Sequence, residues 1–485
     1  MHPMPAATVR LNFGAGSLEV GADGAATLHA VDAPVVTVGL TDVDGLGMTA
    51  DTDDEVEHAF SAQGLQVYQR HSTGESWRMR WVVANPTPRP ASVTLRLSVI
   101  AAPGRSVWCW AAGSSGLVVV APRERAGPVL LIRLDQGHLD LESPASTRAA
   151  ATSPRLRLAP DDLLLDPGRR WVVAATASWV PDLADAMARL PPWMEWPFLL
   201  EGESWVAALA DVGVTLPEGV HAVLDAETSL LQVRGGPGRH VIGVHEARGI
   251  TRVALEWAPP LTSAATSIAS AALASPGDRP GAAESLCIQH ALQQGTLAER
   301  EFADDLLERV DWTRDGSLLA IAFGLQQAVR TGEAAAVTEA LDLLGRLPVT
   351  VGFGRVVLRA WLACVATGLD AQQRCLGLLS RPAVDEVAAL ESALLRRSRP
   401  ESGVPAVAGL VNRLGGRLPG EPFELDWRDQ AQLVGILELC PERWPVAGLA
   451  SEVAAKTRTR ILAAWADRRL TDPEAIAWLL LAGIG

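Results

Sequence analysis

The chain has 485 residues, 48% apolar and 20% charged, with a net charge of −14. A chain of this length exceeds one ordinary core and implies about three domains, and its apolar content excludes a disordered polymer. The acidic balance, with no run of lysines or arginines, argues against a nucleic-acid partner. Lys456 is the sole lysine and Tyr68 the sole tyrosine, a bias that reads as genome composition and carries no functional weight.

The five cysteines, Cys109, Cys287, Cys364, Cys375 and Cys440, are scattered and never paired as C-x-x-C. They read as reduced thiols of a cytoplasmic protein. No basic segment followed by an apolar run marks a leader at the N-terminus. The apolar stretch Ile476 to Gly485 is too short to span a bilayer, so no membrane insertion is expected.

Residues 1–180 read as strands. Ser92 to Val99 alternates apolar and polar side chains, the period of a half-buried strand. Trp77, Met79, Trp81 and Val83 likewise share one face of a second run. Further runs are Leu117 to Val120, Val129 to Leu134, Leu156 to Leu158 and Trp171 to Ala175. Turn signals such as Ala102-Pro103-Gly104 and Asp166-Pro167-Gly168 separate them. Many short strands without long helices predict an antiparallel β-sandwich.

Residues 181–204 read as a connector. It holds a short helix over Pro181 to Leu190, then Pro191-Pro192-Trp193-Met194-Glu195-Trp196-Pro197, which is stiff and aromatic. Its tryptophans are expected to pack between domains. Residues 205–260 resume as strands and predict a small immunoglobulin-like β-domain. Here His240, His245 and Glu246 invite a metal. Positions five apart on a strand face opposite sides, however, so no metal site is expected.

After Pro259-Pro260 the period changes to that of helices. Val337, Ala340, Leu341, Leu344 and Leu347 share a stripe, as do Val357, Ala360, Trp361 and Cys364, then Val387, Leu390 and Leu394. Thr471-Asp472-Pro473-Glu474 reads as a capping box, and Gly368 as a helix stop. Residues 261–485 therefore predict roughly a dozen helices in an all-α, toroid-like or solenoid domain. Asp311-Trp312-Thr313-Arg314-Asp315 and Asp426-Trp427-Arg428-Asp429 form a weak internal echo, each preceding an apolar helix. The fold class is multidomain β plus α.

A β-sandwich followed by an all-helical domain, with Trp312-Thr313-Arg314-Asp315 near a helix start, resembles the glycoside hydrolases built on an (α/α)6 barrel. Glucoamylases, glycogen-debranching enzymes and related phosphorylases are of this type. The resemblance implies that Arg314 and Asp315 hold sugar hydroxyls, with Trp312 beside them as an apolar face. Guanidinium donors and carboxylate acceptors suit vicinal hydroxyls. Asp315 equally sits where a helix N-cap belongs, and Trp312 where a side chain staples into the core.

Glycoside hydrolysis needs two carboxyls, placed about 6.5–9.5 Å apart in inverting enzymes. Glu424 and Asp426, in Pro422-Phe423-Glu424-Leu425-Asp426-Trp427, are the candidates. Asp426 also fits a helix cap. The helical part is short for a catalytic toroid, and its loops are trimmed. Two functions follow. The first is a carbohydrate-active protein that binds or hydrolyses a glucan-like oligosaccharide; as an enzyme it would be an inverting hydrolase or a related phosphorylase. The second is a non-catalytic scaffold that docks a protein partner. Neither requires a cofactor.

Overall fold

Alternating apolar residues build the N-terminal part into two antiparallel sheets. The computed structural model describes residues 8–13, 16–30, 33–41, 43–52, 54–142, 154–194, 196–209, 212–225, 227–275, 279–397, 403–422 and 425–483. In the first sheet the strands run in the order Val9–Phe13, Gly16–Val20, Ala26–Ala30, Ala33–Thr41, Arg96–Ala101, Arg155–Arg157 and Leu139–Leu141. The second runs Asp44–Thr52, Glu55–Ala62, Leu65–Ser72, Trp77–Ala84, Arg170–Val180, Val129–Gln136, Gly116–Pro122 and Arg105–Gly113. The strand Arg105–Gly113 joins the two, because its end residues Ala112 and Gly113 pair with Asp140 and Leu139 of the first sheet.

Trp77, Met79, Trp81 and Val83 are all buried in the shared core. Burying each such side chain stabilises the sandwich by about 1.5–3 kcal/mol. The run Ser92 to Val99 is not one strand. Ala91–Ser92 pairs with Leu164–Leu165, whereas Arg96–Ala101 pairs with Ala33–Thr41. Val93, Leu95, Leu97 and Val99 nevertheless all point into the core. The alternation was legible; the switch of hydrogen-bonding partner within it was not.

The second β unit is a smaller sandwich. One sheet holds the hairpin Gly238–Glu246 and Gly249–Ala258, with Gly213–Thr215 at one side and Phe198–Leu200 added in parallel. The other holds Trp205–Ala208, Leu230–Arg234 and His221–Asp225. Trp193, Trp205 and Trp257 fill its core. Part of the connector thus belongs to this unit, through Trp193 and the strand Phe198–Leu200. The turn Ser114-Ser115 ties the two β units together: the Thr251 hydroxyl lies 3.1 Å from that of Ser114 and 3.0 Å from that of Ser115.

Thirteen helices between Leu261 and Ala482 make up the rest of the described chain. The apolar stripes over Ala334–Arg346 and Phe353–Thr367 are buried, and Gly368 closes the latter helix in the left-handed conformation. The last helix, Glu474–Ala482, is apolar on nearly every side. It packs against Leu261–Leu273, Ala282–Gln294, Phe353–Thr367, Trp427–Leu437 and Ala447–Ala466. The first and last helices of this part therefore meet. Arg355 donates to the carbonyls of Leu481 and Ala482, and Arg359 to that of Leu480, so the last turn has its acceptors filled inside the protein.

The start of this helix departs from the capping box. It begins at Glu474, and Asp472 accepts the amide of Glu474 at 2.9 Å. The Glu474 side chain pairs with Arg428 at 3.2 Å instead of reaching back to Thr471. No helix among the described residues is long and apolar enough to cross a membrane.

Candidate functional site

The strand Gly249–Ala258 separates two environments by its period of two. Val253, Leu255 and Trp257 are buried in the small sandwich. Arg252, Ala254 and Glu256 face the other way, into a cleft of about 510 Å3. All three units meet at this cleft. The large sandwich contributes Trp110, Asp140 and Arg157, the small one Phe198, Arg239, Arg252 and Glu256, and the helical part Trp427, Arg460 and Arg469.

The charged groups form two clusters around carboxylates. Asp140, nearly buried, lies 2.6 Å from Arg252, 3.4 Å from Arg157 and 3.0 Å from the imidazole of His138. Glu256 is 3% exposed and lies 3.6 Å from Arg460 and 3.5 Å from Arg469. Asp467 grips Arg469 at 2.8 Å and accepts the backbone amide of Arg239 at 2.9 Å, which joins the small sandwich to the helical part. Such ion pairs fix guanidinium groups in place at the cost of desolvation.

Behind the cleft lies Lys456, the lone lysine, which is fully buried. Its ammonium donates to the carbonyls of Leu414, Gly416 and Leu418 at 2.8, 2.6 and 3.3 Å. It also sits 4.4 Å from the centre of the Trp108 ring. Burial, and then Arg460, hold its pKa well below the usual lysine range. The turn it grips lies against that same tryptophan: a Cβ at Gly415 would fall 2.1 Å from the Trp108 ring. Trp108 in turn donates its indole N–H to Pro419 at 2.9 Å. The residue set aside as genome composition is therefore central to the junction that carries the cleft.

Trp312, Arg314 and Asp315 share a different groove of about 370 Å3 with Arg279 and Phe323. The two lining sets have no residue in common. Asp315 is not the N-cap of the long helix. It is the last residue of a single turn, Trp312–Asp315, capped at its start by Asp311 and closed by left-handed Gly316. Ser317 caps the long helix Leu318–Thr331 through Ala320, and Asp315 accepts the Ser317 amide at 3.2 Å. The Thr313 hydroxyl and the Arg314 amide both donate to Asp311, which lowers its pKa. Trp312 is half-buried over Gly324, where a Cβ would come within 2.3 Å of the ring.

Asp426 accepts the Asp429 amide at 2.7 Å and caps the helix Trp427–Leu437. The echo between the two Asp-Trp segments is thus a repeated N-cap recipe. Asp426 does not line the Trp312 groove, and Glu424 lies outside the described residues. Gly420 and Trp427, which flank the two along the chain, line the interdomain cleft, whereas Asp426 is not among its lining residues.

Near the hairpin that bears Arg239 and Arg252, His245 lies 2.7 Å from the Thr215 hydroxyl, and His240 lies 3.0 Å from the Gly236 carbonyl. Glu246 accepts from Trp193 and Thr251. Among the described residues, no three His, Cys, Asp or Glu side chains are grouped to hold a metal ion.

No protein-family model matches the sequence, and no curated protein matches it. Among solved structures the chain is similar to a polysaccharide lyase, with a TM-score of 0.53 and 12% identity over 86% of this chain and 72% of that one. That likeness is one of fold. Much looser likenesses are to a glycoside hydrolase of family 81 from Clostridium thermocellum and a galactose mutarotase-like protein from Lactobacillus casei. The first has a TM-score of 0.22 and 9% identity over 95% of this chain and 82% of that one. The second has a TM-score of 0.24 and 11% identity over 36% of this chain and all of that one. At those scores neither bears on the chemistry of this chain.

Proposed function

We propose that this is a carbohydrate-active protein whose oligosaccharide lies in the cleft where the three units meet. The observation that carries the reading is the make-up of that wall. Aromatic side chains, Trp427 and Phe198 among them, stand beside fixed guanidinium and carboxylate groups. A sugar ring offers an apolar face and a rim of hydroxyls, and this combination serves both. The fold shared with a polysaccharide lyase supports the same class of ligand.

If the cleft is catalytic, Glu424 and Asp426 are the carboxyls we assign to proton transfer, since Gly420 and Trp427 on either side of them in the sequence line it. Trp312, Arg314 and Asp315 are proposed as an outer contact for a longer chain. The test is calorimetric titration of the full-length protein with an oligosaccharide panel, with product analysis by mass spectrometry. Trp427→Ala is expected to weaken binding, and Glu424→Gln to stop turnover while binding persists. A panel without a single binder would refute the reading and leave the scaffold role, with a protein partner, in its place.

A further inference from the structure

We infer that two copies of this chain pair through the strand His221–Asp225 of the small sandwich, joined antiparallel across a twofold axis at Val223. This strand lies at the edge of its sheet, hydrogen-bonded on one side to Leu230–Arg234. Among the described residues no strand pairs with its other side, so a row of backbone donors and acceptors faces outward. Proteins ordinarily blunt such an edge with a bulge, a proline or a lysine. The edge strand Asp44–Thr52 of the large sandwich is treated so, with two register shifts against its neighbour. His221-Ala222-Val223-Leu224-Asp225 carries none of these devices, and its five residues pair with Leu230–Arg234 in unbroken register.

The strand is apolar and bare on both faces. Val223 is 68% and Leu224 60% exposed, and as neighbours on a strand they point to opposite sides. Leu224 stands across from the buried Leu231, so it shares the core-facing side, yet the sandwich leaves it open. What fits this edge is the strand itself, because its sequence is self-complementary. With Val223 opposite Val223 of a second copy, each His221 falls opposite an Asp225 and each Ala222 opposite a Leu224. Residues directly opposite in an antiparallel pair share a face. On the outer face an imidazole N–H therefore meets a carboxylate at both ends, with the two valines between. On the core-facing side the small Ala222 leaves room for Leu224. None of these residues lines the interdomain cleft, so the pairing edge and the cleft are separate surfaces. Two strands of five residues make less than a standard protein–protein interface, so the dimer is of the weak, reversible kind.

The experiment is sedimentation velocity of the intact protein at about 1–100 μM, the range in which a weak interface associates. A reversible shift from the 51.3 kDa monomer to a species of twice that mass is expected. Val223→Lys sets two like charges against each other across the axis, and His221→Glu sets a carboxylate against Asp225 at each end. Each should weaken the dimer about tenfold or more. Both side chains are exposed, so the variants should keep the fluorescence and melting of the parent. Val223→Cys reads the register: air oxidation should trap a covalent dimer on a non-reducing gel, because opposite residues at the axis lie within disulfide reach. Ile250→Cys, exposed elsewhere on the same unit, and the unaltered protein should give none. A monomer at every concentration would overturn the inference and leave the edge to an extended peptide of another protein. A dimer that neither weakens in Val223→Lys nor is trapped through Val223→Cys would overturn it too, since the contact would lie on another face.

Discussion

Replacing Glu256 by glutamine removes one charge and almost no volume from the wall between the small sandwich and the helix Ala447–Ala466. The carboxylate is 3% exposed and the Arg460 it faces is 2% exposed. Loss of one partner from a buried pair costs about 3–5 kcal/mol, because the other charge stays desolvated. Two features place this case at the lower end, at about 3 kcal/mol. The contacts are long, at 3.6 and 3.5 Å, and Arg469 keeps its ion pair with Asp467. Urea unfolding followed by tryptophan fluorescence reads the loss, with calorimetry to separate transitions, since a chain of several units need not unfold in one step. The double variant Glu256→Leu with Arg460→Met should recover most of it, because a buried pair replaced by apolar groups is often neutral. A single variant that loses less than about 1 kcal/mol would refute the view that this pair braces the cleft.

Three further outcomes follow from local geometry. Glu391 is fully buried and accepts the amides of Gly352 and Arg355; burial, only partly offset by those bonds, pushes its carboxyl up to about 7. The folded state then keeps a proton that the unfolded chain releases near pH 4.5, so stability should fall as pH rises through that window and level off above about 7. Glu391→Gln should flatten this slope, by up to about 3 kcal/mol in unfolding titrations across the window; an unchanged slope would assign it elsewhere. Asp426→Ala should cost about 1 kcal/mol and Asp426→Asn much less, since the oxygen caps the Asp429 amide; equal losses would contradict a capping role. Gly324→Ala should cost about 1–3 kcal/mol and shift the emission of Trp312, because the new methyl enters the space of the ring; a silent substitution would mean the indole is not held there.

How far the sequence disclosed this structure depended on the period of each element. The strand Trp77–Ala84 and the helix Phe353–Thr367 were legible because one face of each is buried and the other wet. The strand Gly249–Ala258 was found by the same rule, but its period says nothing of what covers Arg252 and Glu256, over which a second unit folds. No spacing rule can show this, because Asp140, Glu256 and Arg460 are more than 100 residues apart along the chain. Lys456 carried a signal of a kind: a lone lysine, between the apolar residues of a helix, has few reasons to be there unless it is buried. Asp311 was passed over for Asp315 because both suit a cap, and only the left-handed turn at Gly316 decides between them.

The measurement that tests the central claim most directly is hydrogen–deuterium exchange of the full-length protein with and without the tightest oligosaccharide from the panel. The account predicts slowed exchange over residues 239–256 and at Gly420 and Trp427, on the two sides of the interdomain cleft. Protection confined to residues 311–323, around the Trp312 groove, would contradict it.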